Sequence, residues 1–190
     1  MRFTESTRRH NFVMAHGFPA KDASKSGFEF SLANQQSAHE VDEGRLLDAA
    51  RRVLADSRFA SATISLAVVD DATIHALNRQ FLQHDWPTDV LSFVLDASES
   101  HLNGEVVLSA DTAATVAAEG GWKPADEQLL YVIHGMLHLT GLDDQSEADA
   151  GRMRAAERYY LRECGVEMPR GFERLTAING HPGGGGTNTW

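Results

Sequence analysis

The stretch Leu129-Leu-Tyr-Val-Ile-His134-Gly-Met-Leu-His138-Leu-Thr-Gly141-Leu-Asp-Asp144 decides how this chain is interpreted, because it combines an apolar helix with metal-ligand side chains. Apolar residues surround the two histidines, so the pattern predicts a buried helix. Imidazoles four residues apart project from one helix face, about 5–6 Å apart at Cβ. Gly141 can end the helix in the left-handed conformation and turn Asp143 or Asp144 back toward the histidines. The segment therefore predicts a metal site with open coordination positions, as in catalytic centres.

The same spacing occurs in a class of zinc proteases, and one residue argues against that class. The metzincin proteases share the pattern His-x3-His-x2-Gly-x2-His, with Asp as the last ligand in some members. They place a glutamate general base directly after the first histidine, where this chain has Gly135. Peptide hydrolysis would need another base, so the sequence disfavours it.

The chain length of 190 residues and its 42% hydrophobic content indicate one globular domain. The sequence contains no run of 18 or more apolar residues, which argues against a membrane span. Residues 1–26 lack an apolar signal-peptide core, so we expect a cytoplasmic protein. The lone Cys164 cannot form an internal disulfide and excludes a zinc ribbon, so nitrogen and oxygen ligands must hold any metal.

The charge distribution limits how the chain could bind nucleic acids. Its net charge is −10, and the first 26 residues carry five cationic side chains against two acidic ones, so residues 27–190 are more acidic still. Binding to phosphates depends on Lys and Arg. Any contact with RNA must therefore depend on a local patch.

Composition divides the chain into three parts. Residues 1–26 show no sustained periodicity and are interpreted as a poorly ordered extension. Residues 27–170 form the domain, and residues 171–190 form a flexible tail that contains the four-glycine run Gly183–Gly186.

Within the domain, strands come early and helices late, which predicts an α+β fold with a small mixed sheet packed against helices. Alternating apolar residues predict strands, and apolar residues three or four apart predict helices. Asn103-Gly104 is interpreted as a turn between the last two strands. The predicted strands are near 28–34, 64–70, 89–95 and 105–109, and the predicted helices are 42–56, 74–81, 111–119, 126–140 and 146–163, the last with a Ser146/Asp149 capping box.

Several further blocks, together with the histidine segment, carry a family resemblance. They are Leu77-Asn78, the Thr-Asp-Val-Leu-Ser-Phe block at 88–93, the strand at 104–109 and the helix start at 127–131. Over residues 28–168 the chain closely resembles the YbeY family of bacterial metal-dependent endoribonucleases. The resemblance implies an α+β fold and one divalent ion, most favourably zinc, on three ligands. It also implies single-strand-selective RNA cleavage in 16S rRNA 3′-end maturation and ribosome quality control.

Carried over by this resemblance, the metal ligands are His134, His138 and Asp144. The family has histidine at the last position, and aspartate there leaves a divalent ion with one less net positive charge. Oxygen ligation also broadens the plausible metals toward manganese or iron. Asp143 competes with Asp144 for the ligand role and is otherwise a turn residue or a partner of the ligands.

A second departure is Leu82, where the family usually has an arginine suited to phosphate recognition. Arg79 and His84 are the nearby candidates for that role, although each could equally be an ordinary exposed residue.

Four polar side chains are candidates for a substrate groove leading to the metal: Asn78, Thr88, Asp89 and Ser92. The alternative is structural. Thr88 and Asp89 could cap the start of a strand, and the alternation that follows could reflect one buried face.

The leading functional hypothesis is phosphodiester hydrolysis by water that the metal activates. Asp143 as proton acceptor and His84 are the catalytic candidates. The expected partners are single-stranded RNA, rRNA and ribosomal subunits, without DNA or a membrane. The alternatives are a ribosome-associated assembly factor with a structural metal, and a metal-dependent hydrolase of a small phosphoester or peptide.

Overall fold

A computed structural model describes residues 22–23, 27–82 and 85–169 of the chain. The predictions for residues 1–21 and 24–26, for His84 and for the tail at 171–190 lie outside these residues. In chain order the elements are β1 (Asp22–Ala23), β2 (Phe28–Asn34), α1 (Glu43–Ala55), β3 (Ser61–Val69), α2 (Asp71–Leu82), β4 (Val90–Ala97), β5 (His101–Ser109), α3 (Ala110–Gly120), α4 (Pro124–Thr140) and α5 (Glu147–Glu163).

The described strands form one mixed sheet in the order β1-β2-β3-β5-β4. Strands β2, β3 and β5 are parallel, and β1 and β4 add antiparallel edges. The predicted α+β class with a small mixed sheet is confirmed. Two residues of the predicted N-terminal extension, Asp22 and Ala23, belong to the sheet as β1.

The two faces of the sheet carry cores of different size. The larger core lies between one face and the helices α1, α3, α4 and α5, and it includes Ile64, Leu66 and Val106. The smaller core lies on the other face, where Ile74 and Leu77 of α2 pack against Val107. No helix within the described residues is long and apolar enough to cross a membrane.

Local signals in the sequence placed most element ends correctly. Asp42 caps α1 by accepting a hydrogen bond from the Arg45 amide, and Ser146 caps α5 by accepting one from the Asp149 amide at 3.1 Å. Such caps satisfy amides that have no partner inside the first helical turn. The strand near 28–34 and the helix at 42–56 are confirmed. Of the predicted capping box the Ser146 half is confirmed, whereas the Asp149 carboxylate accepts from the Ser146 hydroxyl.

The predicted turn at Asn103-Gly104 is wrong, because both residues lie inside β5. A Cβ at Gly104 would lie 2.9 Å from Cδ1 of Leu139 on α4. The glycine is needed there for the close approach of a helix, which is a known reason for glycine in a strand. The chain reverses between β4 and β5, where the Ser98 amide donates to the carbonyl oxygen of His101 at 2.9 Å.

A second glycine brings α4 onto the same strand. A Cβ at Gly135 would lie only 2.6 Å from Cγ1 of Val106 and 3.4 Å from Cγ2 of Val90. Real Cβ atoms do not approach neighbours that closely, so the helix would have to shift away from the sheet. Gly135 therefore sets the height of the metal-ligand helix above β5.

The opposite face of β5 carries a buried carboxyl group. Glu105 is 7% exposed, and its Oε1 has no hydrogen-bond partner among the described residues. Burial raises the pKa of Glu105 from 4.5 to about 7, because desolvation disfavours the charged form. Glu105 is thus a polar group held at an energetic cost.

We predict that Gly135→Ala destabilises the domain by about 1–3 kcal/mol through overpacking against Val106. Gly151→Ala is the matched control, since Gly151 is also helical but a Cβ there meets nothing within 4 Å. The control should be neutral or should stabilise by up to about 1 kcal/mol. Urea unfolding of both variants in chelator measures the effect, and equal stabilities would contradict this account of α4.

We also predict a pH dependence from Glu105. Between pH 4.5 and about 7 the folded state holds a proton that the unfolded chain has released. The free energy of unfolding should therefore fall by about 2–3 kcal/mol as the pH rises through this window. Urea unfolding at pH 5 and pH 8 should show a smaller fall for Glu105→Gln than for wild type. Glu99→Gln, at an exposed position in the preceding turn, should retain the wild-type difference. If Glu105→Gln retains it too, the assignment fails.

Candidate metal centre

The first histidine of the candidate centre is held by a carboxylate from another helix. His134 is 7% exposed, and its Nδ1 lies 2.7 Å from Oε1 of Glu157 on α5, which is 2% exposed. An ionised carboxylate only accepts hydrogen bonds, so Nδ1 of His134 carries the proton and donates. The tautomer of His134 is therefore fixed, with Nε2 as the remaining basic nitrogen.

The second histidine is held by the backbone that follows α4. Gly141 takes the left-handed conformation with φ of 105°, and its amide donates to the carbonyl oxygen of His138 at 3.0 Å. This turn places the carbonyl oxygen of Leu142 3.0 Å from Nδ1 of His138. A carbonyl oxygen can only accept, so Nδ1 of His138 donates and its Nε2 is the basic nitrogen.

The two basic nitrogens face each other. Nε2 of His134 and Nε2 of His138 are 3.0 Å apart, and the rings are nearly perpendicular at 83°. With both Nδ1 atoms donating, two lone pairs point into one small space, which a shared cation would stabilise. Zinc ligands bound at about 2.0–2.2 Å in a tetrahedron lie roughly 3.3–3.6 Å apart. The arrangement of the two imidazoles fits a metal ion of this kind.

The third donor comes from the turn after α4. Oδ2 of Asp144 lies 4.0 Å from Nε2 of His138, and the donor atoms of His134, His138 and Asp144 all lie within 4.8 Å of one another. Asp143 is oriented differently, because its Oδ1 accepts from the amides of Asp144 and Gln145 at 2.7 and 3.2 Å. The structure thus brings Asp144 to the histidines and uses one oxygen of Asp143 to hold the turn.

The charge of the centre follows from these contacts. If a divalent ion were bound, Asp144 and Glu157 would together place two negative charges near it, and neutral imidazoles would add none. A neutral centre acidifies water less than a cationic one. The open side faces solvent, since the side chains of His138 and Asp144 are each 26% exposed.

The polar residues predicted to line a groove have mostly structural contacts. Nδ2 of Asn78, which is 2% exposed, donates to the carbonyl oxygen of Trp86 at 2.8 Å. Oδ1 of Asp89 accepts from Thr88 Oγ1 at 3.2 Å and from the Val90 amide at 2.7 Å. Asn78 therefore ties α2 to the following loop, and Thr88 with Asp89 caps the start of β4.

Ser92 and Arg79 occupy different environments. Ser92 is half-buried on β4, two residues after Val90, and therefore projects from the same side of the sheet, toward α4. Arg79 is exposed in the last turn of α2. Of the predicted groove residues, Ser92 is the one that the strand geometry directs toward the metal helix.

Sequence reasoning missed Glu157. A signal was present, because Glu157 interrupts the otherwise apolar row of α5 formed by Ala150, Met153 and Leu161. Charged residues are rarely fully buried unless they are paired. A single carboxylate on the buried face of a helix beside two buried histidines therefore indicates a histidine partner.

The fold and the site define an α+β protein of the metal-dependent hydrolase type, with two histidines and one carboxylate gathered at the end of its central helix. The profile of the family described as endoribonuclease YbeY matches residues 31–165. The chain belongs to this family, which confirms the resemblance predicted from its motifs.

Individual relatives agree with the profile. Endoribonuclease YbeY of Rhodopirellula baltica is 42% identical over 133 residues, 65% of this chain and 69% of the relative. That of Geobacter metallireducens is 38% identical over 135 residues, 67% of this chain and 90% of the relative. A solution structure from Thermotoga maritima aligns with a TM-score of 0.48 and 23% identity over 71% of this chain and 88% of that one.

We predict that Glu157→Gln lowers zinc affinity about 10- to 100-fold, because the amide keeps the shape of the side chain but lacks the charge that makes His134 a stronger ligand. Competition with a chromophoric chelator measures this affinity without any nuclease assay. Glu163→Gln, an exposed position near the end of the same helix, is the control and should bind zinc like wild type. Equal affinities of the two variants would rule out this role for Glu157.

Proposed function

We propose that this protein is a metal-dependent endoribonuclease that hydrolyses phosphodiester bonds of single-stranded RNA in the cytoplasm. Its biological substrate would be rRNA in ribosomal subunits, with roles in 16S rRNA 3′-end maturation and ribosome quality control. The observation that carries the proposal is the convergence of His134, His138 and Asp144 in a chain of the YbeY family. Relatives such as the R. baltica protein carry the name endoribonuclease.

In this proposal His134, His138 and Asp144 hold one divalent ion, with zinc as the first candidate. When bound, the ion supplies a Lewis acid that makes water more acidic and neutralises charge on the phosphoryl oxygens. Glu157 and the Leu142 carbonyl oxygen fix both imidazoles so that their Nε2 atoms point into the site. The buried half of the centre lets the ligands keep this geometry without rearrangement.

Asp143 is the proposed proton acceptor. It is exposed, it adjoins Asp144, and its Oδ1 is fixed by the amides of residues 144 and 145. These amides bind Oδ1, so the other oxygen, Oδ2, could accept a proton from the attacking water. His84 stays a second catalytic candidate from the sequence, and Arg79 and Ser92 stay candidates for phosphate contact.

One observation supports the alternative function, an assembly factor whose metal is mainly structural. The centre links α4 to α5 through the contact between His134 and Glu157, so a bound ion would also stabilise the packing of these helices. An assembly factor that binds ribosomal subunits without turnover would need only this structural effect. The experiment must therefore separate metal binding from cleavage.

Neighbouring aspartates allow such an experiment. We predict that Asp144→Asn loses most of its bound metal and cleaves single-stranded RNA at least about 100-fold more slowly than wild type. Asp143→Asn should retain about one equivalent of metal yet lose about 10²–10⁴-fold in cleavage rate, as expected for a proton acceptor. Elemental analysis and cleavage of an end-labelled RNA provide the two measurements.

His138→Ala serves as the metal-free reference and should be inactive. Robust cleavage by this variant would refute the metal-dependent mechanism. Metal binding by wild type with no cleavage, together with unfolding on chelation, would favour the assembly-factor alternative. Reversed metal contents in the two aspartate variants would make Asp143 the ligand.

A further inference from the structure

Helix α5 has two borders on either side of its buried row, and they differ in chemistry. On one border Tyr160 donates from its hydroxyl to Oδ2 of Asp56, at the end of α1, at 3.0 Å. At 100° per residue, Tyr160 lies about 60° to one side of Glu157. On the other side, at about 60°, 100° and 140°, lie Arg154, Arg158 and Arg162. We call these three residues the arginine border.

The arginine border lies on the helix that contacts the metal centre. Glu157, which contacts His134, separates Arg154 from Arg158 along the sequence. The helix begins at Glu147, three residues after the proposed ligand Asp144. The opposite border contacts the end of α1 at Tyr160, whereas Arg158 and Arg162 are exposed and accessible to a ligand. Glu147, the first residue of α5, lies on the same side of the helix as the arginines. The cationic part of that side therefore begins at Arg154.

Within the described part of the chain, little neutralises these arginines. Arg158 and Arg162 are exposed, and Arg154 is half-buried. No described acidic residue forms an ion pair with Arg154 or Arg158. Nε of Arg162 lies 3.5 Å from Oε1 of Glu167, whose side chain is 79% exposed. On the far side of the helix, by contrast, Arg152 pairs with Asp149.

Helix stability does not account for this row. Arginines four residues apart repel each other on a helix surface, so the row destabilises an isolated α5. Cations stabilise a helix through its dipole only in the last turn, and of the three arginines only Arg162 lies there. Arg154 and Arg158 therefore do not stabilise α5 itself.

We propose that the arginine border binds successive phosphates of the RNA strand that reaches the metal centre. This inference rests on the proposed nuclease function and names the surface that recognises its substrate. Guanidinium groups bind phosphate oxygens through two parallel hydrogen bonds. The row spans about 12 Å, with about 6 Å between neighbours. In a chain of net charge −10, such a local cationic row supplies the attraction that the whole protein does not.

A comparison of Arg158→Gln with Arg152→Gln tests the proposal, because both variants remove one charge from the same helix on different sides. We expect Arg158→Gln to raise KM for single-stranded RNA about 5- to 10-fold at 0.1 M salt, with kcat and zinc content unchanged. The slope of log KM against log salt concentration should become shallower by about 0.7, the value for one lost contact to a single strand. Arg152→Gln should leave KM and the slope at wild-type values.

Equal KM values and salt slopes in the two variants would overturn the arginine border while leaving nuclease function intact. Binding of a labelled phosphorothioate RNA to the zinc-loaded proteins, followed by fluorescence anisotropy, separates the two proposals. If wild type does not cleave RNA but binds it, and only Arg158→Gln weakens binding, the catalytic proposal fails and the border stands. If wild type neither binds nor cleaves RNA, both fail.

Discussion

The close approach of α4 to β5 is the constraint on which the rest of the structure depends. Gly135 packs so close to Val106 that no side chain would fit there, and Leu139 of α4 packs directly against Gly104. A helix pressed this deeply into the core carries His134 away from solvent. A buried imidazole must then find a fixed polar partner, which Glu157 of α5 supplies. The tight packing of α4 thus fixes the positions of the two ligand nitrogens.

Patterns of local origin made most of the fold predictable. The alternation in β2 and the amphipathic spacing of α1 and α5 depend on which face is buried, and this can be read directly from the sequence. The turn prediction at Asn103-Gly104 failed because turn propensity is local, whereas the contact of Gly104 is with Leu139, more than thirty residues further along the chain. No local pattern distinguishes a turn glycine from one that receives a distant side chain.

In the candidate site, too, residues related by local geometry were predictable, and residues brought together by the tertiary fold were not. His134, His138 and Gly141 were readable because helix geometry relates their positions, and the left-handed cap followed from glycine itself. Asp143 and Asp144 lie in a turn without periodicity, so only coordinates could show which carboxylate faces the histidines. Glu157 lies 23 residues from His134 and was visible only as a charge in an apolar row. The catalytic roles of Asp143 and His84 stay predictions.

Electrostatics explains why the residues that hold the metal and those that attract RNA should lie in different places. With a divalent ion bound, Asp144 and Glu157 would offset both of its charges, and the centre would offer a phosphate little net attraction beyond direct coordination. The acidic body adds long-range repulsion toward RNA. Attraction must then come from cations outside the centre yet within reach of a strand bound to it. The proposed arginine border would meet this condition, because it lies on the helix that carries Glu157 to the centre and its residues Arg158 and Arg162 are exposed.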